Sequence, residues 1–321
     1  MNTSHFPQDQ NPQEPGSPQN PVQETNPLRK TTVEATPAAA VPQAIVPESA
    51  APESVNPEPA APEAVVPASV APQLPVTPQA APTAGARPAI EIRGLTKAFG
   101  QKVAVDRINL DIPSGSFYGL VGRNGAGKTT TISMVTGMLK PNEGTAYVRG
   151  IDMWTDPLKA KAHLGVLPDG VHLFDKLTGE QLITYSGYLH GIDKETVASR
   201  VKDLLTAMDL TDAAGRAVAD YSAGMTKKIA LAAALVHAPS VLILDEPFEA
   251  VDPVSAANIQ DILRGFVASG GTVIISSHVM DLVQRLCDHV AVMDSGRILA
   301  AGTVDEVRAG MSLEERFVQL V

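Results

Sequence analysis

The run Gly122-Arg123-Asn124-Gly125-Ala126-Gly127-Lys128-Thr129, followed by Thr130, has the spacing of a loop that holds a nucleoside triphosphate. Its glycines let backbone N–H groups turn inward around an anion, and a helix beginning at its end adds partial positive charge. Lys128 carries the amine that would reach the β- and γ-phosphates, and the Thr129 hydroxyl is a hard oxygen donor for Mg²⁺. The context fits: the apolar stretch Phe117-Tyr118-Gly119-Leu120-Val121 precedes the loop, and Ile132, Val135 and Leu139 follow at helical spacing.

Two carboxylates stand where such chemistry needs them. Val241-Leu242-Ile243-Leu244 reads as a buried strand, and Asp245 and Glu246 sit at its C-terminal edge. Asp245 would complete the shell of a magnesium ion through water, and Glu246 is placed to orient or deprotonate a water in line with the γ-phosphate.

Three further pieces turn a phosphate loop into a family resemblance. Tyr221-Ser222-Ala223-Gly224-Met225 precedes a helical run and stands 23 residues (Ser222 to Asp245) ahead of the acidic strand end. Asp252 is followed by Pro253, and His278 follows an apolar run and the pair Ser276-Ser277. In this order the pieces resemble the ABC ATPases: their signature motif, their D-loop and their switch histidine. Phe99, ahead of the first strand hairpin, stands where that family stacks an aromatic ring on adenine. The resemblance covers residues 89–321. Each piece also has a plainer reading: Asp252 as a helix cap, His278 as a strand-end residue, Phe99 as core.

The resemblance implies a cytoplasmic subunit that hydrolyses Mg-ATP and sits peripherally at the membrane through separate permease chains. The tyrosine-serine signature points to export. Lys128, Glu246 and His278 would act on the γ-phosphate, while Ser222, Ala223 and Gly224 would close the site of a second nucleotide-binding subunit, identical or related. One phosphate loop and one signature cannot build a complete site alone. Two departures stand out: Asp169 occupies the position of the family's usual metal-contacting glutamine, and 247–251 lacks the usual glycine before Asp252. Asp169 keeps open a weakly hydrolysing regulatory subunit, and a soluble ATPase working without a permease is a second alternative.

These groups need elements to hold them. Branched runs at 89–95 and 103–112 predict two strands, and apolar runs at 241–244, 272–275 and 290–293 predict buried parallel strands. The pattern between about 178 and 238 is helical, opened by Thr178 with Gln181, and Thr303 with Glu306 opens another helix. The expected fold is α/β: a P-loop NTPase core with a mixed sheet, an antiparallel β subdomain and an inserted helical lobe at about 170–238.

A boundary falls near residue 88. Nineteen of 26 prolines lie in 1–88, and from Pro37 to Pro72 they recur every fifth residue. Such a tract has no apolar face to bury, and predicts a disordered or locally polyproline II tail, an inert spacer rather than a tether or a docking strip for a proline-reading partner. The net charge of −10 argues against nucleic acid as the partner. Cys287 is the single cysteine, so no internal disulfide forms, and no apolar run is long enough to span a bilayer. The N-terminal residues lack the basic and apolar regions of a signal peptide.

Overall fold

The computed structural model describes residues 87–170 and 172–321. The proline-rich tail expected at 1–88 lies outside the described residues except for Arg87 and Pro88. Two sheets and a set of helices make up the described chain. The first sheet is antiparallel, with order β2-β1-β4-β5, formed by β1 (Ile90–Phe99), β2 (Lys102–Ile112), β4 (Glu143–Val148) and the short β5 (Ile151–Asp152). β1 runs four residues beyond the expected strand, because its tip pairs Phe99 with Lys102 across a tight hairpin. Phe99 therefore sits at the hairpin tip, not ahead of it.

The second sheet has order β10-β9-β3-β8-β7-β6. Its members are β3 (Phe117–Val121), β6 (Leu164–Leu167), β7 (Val241–Asp245), β8 (Thr272–Ser277), β9 (His289–Asp294) and β10 (Arg297–Thr303). The first five run parallel and only β10 is antiparallel, so the sheet is mixed. β3, β7 and β8 are buried along their whole length, as expected of strands covered on both faces.

Between β3 and β4 lies α1 (Lys128–Val135), and α2 (Pro157–Ala162) precedes β6. The insertion between β6 and β7 carries α3 (Gly179–Leu189), α4 (Lys194–Ala207) and α5 (Ala223–Leu235). Thr178 opens α3 with a capping box completed by Gln181, and Ser222 caps α5 by accepting the Met225 N–H. The chain closes with α6 (Pro253–Ala268), α7 (Met280–Leu286), α8 (Val304–Arg308) and α9 (Leu313–Leu320).

Two apolar clusters divide the interior. One joins the antiparallel sheet and α1 to one side of the mixed sheet, through Ile90, Tyr118, Met134 and Ile243. The other joins the inserted helices and α6, α7 and α9 to the opposite side, through Ile183, Leu204, Leu231, Phe266 and Phe317. The mixed sheet is thus the shared wall, and the C-terminal edges of its strands are where loops are free to carry chemistry.

Candidate functional site

The loop between β3 and α1 turns on glycine geometry. Gly127 caps α1 with φ at 106°, and a Cβ there would lie 2.6 Å from the Ala104 carbonyl oxygen. Left-handed backbone and close approach of β2 both require glycine at this position. The loop then leads straight into the first turn of α1, which begins with Lys128 and Thr129.

Lys128 is 6% exposed, and its ammonium is held at three points. Its Nζ donates to the Gly122 carbonyl at 2.9 Å and the Arg123 carbonyl at 3.3 Å, and pairs with Glu246 Oε1 at 3.5 Å. The same Glu246 oxygen lies 3.1 Å from His278 Nδ1. A nearly buried carboxylate between an ammonium and an imidazole is thus fixed at the end of β7.

The backbone there is also constrained. Glu246 adopts a left-handed φ of 44°. Its N–H donates to Ser276 Oγ at 3.0 Å, and the Ser276 hydroxyl donates to Asp245 Oδ1. Lys227 of α5 donates to the Glu246 carbonyl at 3.2 Å. Strand β8 and the first turns of α5 therefore hold this residue in place from two directions.

A cleft of about 460 Å³ opens over these groups. Phe99, Asn124, Gly125, Gly127, Lys128, Thr129, Thr130, Asp169, Glu246 and His278 all line it, as do Lys102, Ala104 and Glu249. Phe99 is 52% exposed, so it is not core; the Lys97 ammonium lies 5.4 Å from its ring centroid. Asp169 is exposed at the rim, and its Oδ1 accepts the Gly170 N–H at 2.8 Å. His278 stands one residue beyond β8 with its imidazole on Glu246, which gives the strand-end position a polar partner.

Other expected residues lie elsewhere. Asp245 is 1% exposed and does not line the cleft. Gly122 and Ala126 are buried, and the Arg123 guanidinium lies over the ring of Phe317 at 5.3 Å. Ser222, Ala223 and Gly224 open α5 outside the cleft lining. Asp252 caps α6 by accepting the N–H groups of Val254 and Ser255 at 3.1 and 2.9 Å. The helix-cap reading of Asp252 is therefore satisfied. Where the family's glycine is missing, Ala250 still takes a left-handed φ of 57°. Lys102 and Glu249 were not singled out from sequence; Lys102 reaches the cleft only because the β1–β2 hairpin folds over the loop.

The arrangement suits a polyanion with its metal. Backbone N–H groups at the start of α1, the Lys128 ammonium and Lys102 supply positive charge. In the cleft the Thr129 hydroxyl and the Asp169 carboxylate are hard oxygen donors of the kind magnesium takes, while Asp245, outside the cleft lining, would serve such an ion only through water. No group of three or more His, Cys, Asp or Glu forms a protein-only metal cage among the described residues.

The chain is similar to known proteins along most of its described length. The sequence profile of the ABC transporter family matches residues 105–249. The daunorubicin/doxorubicin resistance ATP-binding protein DrrA of Streptomyces peucetius is 36% identical over 223 residues, covering 70% of this chain and 68% of that protein. The linearmycin resistance ATP-binding protein LnrL of Bacillus subtilis is 34% identical over 214 residues, 67% of this chain and 69% of that one. Among solved structures, an ATP-binding subunit of an ABC transporter superposes with a TM-score of 0.68 at 26% identity, covering 72% of this chain and 99% of its own. CbiO1 of Clostridium perfringens, part of the ABC transporter complex cbiONQ, gives 0.62 at 28% identity, covering 70% and 92%. This chain belongs to the ABC transporter family, as an ATP-binding ATPase subunit.

Proposed function

We propose that this subunit hydrolyses Mg-ATP to drive export of small molecules through separately encoded membrane permeases. Support for the direction comes from relatives named for resistance to daunorubicin and linearmycin. Among the described residues no helix is long and apolar enough to cross a membrane, and we assign the path for a cargo to separate permease chains. The subunit then works at the cytoplasmic face, held there by its permease. Residues 89–321 carry the ATPase, with the segment at about 170–238 as its helical lobe.

The roles follow from the cleft. Lys128 and the loop N–H groups hold the triphosphate; Thr129 and Asp169 in the cleft, with Asp245 through water, would hold a magnesium ion, which would supply positive charge against the phosphates. Phe99 offers a ring face to adenine. An incoming γ-phosphate draws the Lys128 amine away from Glu246, which leaves that carboxylate to orient water and take its proton. His278, 3.1 Å from Glu246, is placed to sense the same phosphate.

Lys128, Glu246 and His278 meet in one cleft, while Ser222, Ala223 and Gly224 open a different surface. Each cleft therefore lacks the signature half of its site, and a second subunit supplies it across a two-fold axis when ATP binds. Asp169 at the cleft rim keeps a second reading open, a regulatory subunit that binds ATP but hydrolyses little. Reconstitution tests the proposal: with its permease in vesicles, the wild-type chain should move an amphipathic drug outward in an ATP-dependent way. A permease whose transport is unaffected by removing this chain would overturn it.

A further inference from the structure

Arg123 belongs to the phosphate loop, yet its side chain takes no part in lining the cleft. Its guanidinium lies over the ring of Phe317 in α9, 5.3 Å from the centroid, and among the described residues no carboxylate pairs with it. Phe317 is 3% exposed, so the ring itself cannot move aside without opening the core. It belongs to the same buried cluster as Val283 and Leu286 of α7. A second tie fixes that helix: the Leu313 N–H at the start of α9 donates to Gln284 Oε1 of α7 at 2.8 Å.

Following the chain from this contact leads back to the phosphates. The Arg123 carbonyl accepts from Lys128 Nζ at 3.3 Å and from the Ala126 N–H at 3.1 Å. The turn that positions the Lys128 ammonium thus runs through the backbone of the same residue whose guanidinium lies on Phe317. α7 begins two residues after His278, so α9 is seated against segments leading to both ends of the cleft.

We propose that Phe317 is a positioning residue for ATP binding: its ring holds the Arg123 guanidinium on the C-terminal helix and so presets the phosphate loop. The inference rests on the reading of this loop as the ATP site. The ring touches neither nucleotide nor reacting atoms, so its effect falls on affinity. Removing the ring face should raise KM for ATP about two- to fivefold, the range of an exposed cation–π contact. kcat should change by less than about twofold, because the contact is the same in ground and transition states.

The test uses the full chain and steady-state Mg-ATP hydrolysis. Phe317→Leu and Arg123→Met should each raise KM, and the double variant should be no worse than either single one. Phe317→Tyr should keep the wild-type KM, and the absence of any further shift when Arg123→Met is added to Phe317→Leu is the result that a purely packing role for Phe317 would not produce. A wild-type KM in either single variant, additive shifts in the double variant, or a tyrosine variant as impaired as the leucine one would overturn the proposal. Should Phe317→Leu fail to fold, Phe317→Tyr and the exposed Arg123→Met decide alone: tyrosine must keep the wild-type KM and methionine must raise it. Lys128→Ala, run alongside, separates the two levels. If it binds ATP normally, the phosphate-loop reading falls and this inference with it; if it loses ATP while Phe317→Leu is neutral, only this inference falls.

Discussion

Acid should loosen the seam between the helical insertion and the sheet, and His237 sets the size of the effect. The His237 ring stacks on His190, with centroids 3.8 Å apart and planes at 7°, in a groove walled by β6, α3 and α5. Its Nε2 lies 2.9 Å from the Leu164 carbonyl, which can only accept, so Nε2 carries the proton. Nδ1 is then an enclosed acceptor without a partner. Burial above all, then the facing His190, pushes the imidazole from its ordinary 6.5 down to about 4, against the pull of the Leu164 carbonyl. Between those two values the unfolded chain binds the proton that the folded chain refuses. The stabilisation is therefore complete above pH 6.5, declines as pH falls, and is gone below pH 4. The full gap corresponds to about 3 kcal/mol, and going from about pH 7.5 to 5 should remove about 2 kcal/mol. Urea unfolding of wild type and His237→Gln at both pH values measures it. Glutamine keeps an N–H for Leu164 but does not titrate, so its loss on acidification should be smaller by about 2 kcal/mol. Parallel losses in the two proteins would refute the reasoning.

Three other outcomes follow from residues around the cleft and the chain's two parts. Asp169→Gln should leave basal ATPase within about a few-fold, a barrier change near 1 kcal/mol, while altering stimulation by a reconstituted permease; a hundredfold rise would instead make Asp169 a brake. Gly224→Ala places a Cβ 2.5 Å from Ser255 Oγ and 2.6 Å from Asp252 Oδ2. The Asp252 carboxylate is committed to capping α6, so the clash should cost about 1–3 kcal/mol, read as a lower urea midpoint. A chain beginning at residue 88 should keep the ATPase rate and thermal transition of the full chain, since the proline repeat has no apolar face to bury; lost activity would mean that the tail packs on the ATPase.

What the sequence disclosed was what local chemistry dictates. The phosphate loop was legible because its glycines, lysine and threonine are forced by backbone geometry and anion charge. Strands β3, β7, β8 and β9 were legible because full burial writes itself as an unbroken apolar run. The caps at Thr178 and Thr303 and the Asp252-Pro253 helix start are legible for the same local reason. β4 and β6 were not: β4 is only partly buried and β6 has only four residues, and their pairing with β1 and β7 comes from residues far along the chain. The same limit hid Lys102 and Glu249, which reach the cleft only through tertiary folding. It also hid the Lys227 contact to the Glu246 carbonyl and the Arg123–Phe317 stack, since no spacing rule links such distant residues.

The central claim is that Glu246 activates water in a site that two subunits complete. Glu246→Gln tests both halves at once, because the amide keeps the shape but cannot take a proton. The variant should bind Mg-ATP yet turn it over about 10²- to 10⁴-fold more slowly. Trapped ATP should hold two subunits together, so light scattering should report twice the mass of the 33.6 kDa chain with ATP and the single mass without it. Wild-type turnover by the variant, or an ATP-loaded variant that stays at the single mass, would contradict the account.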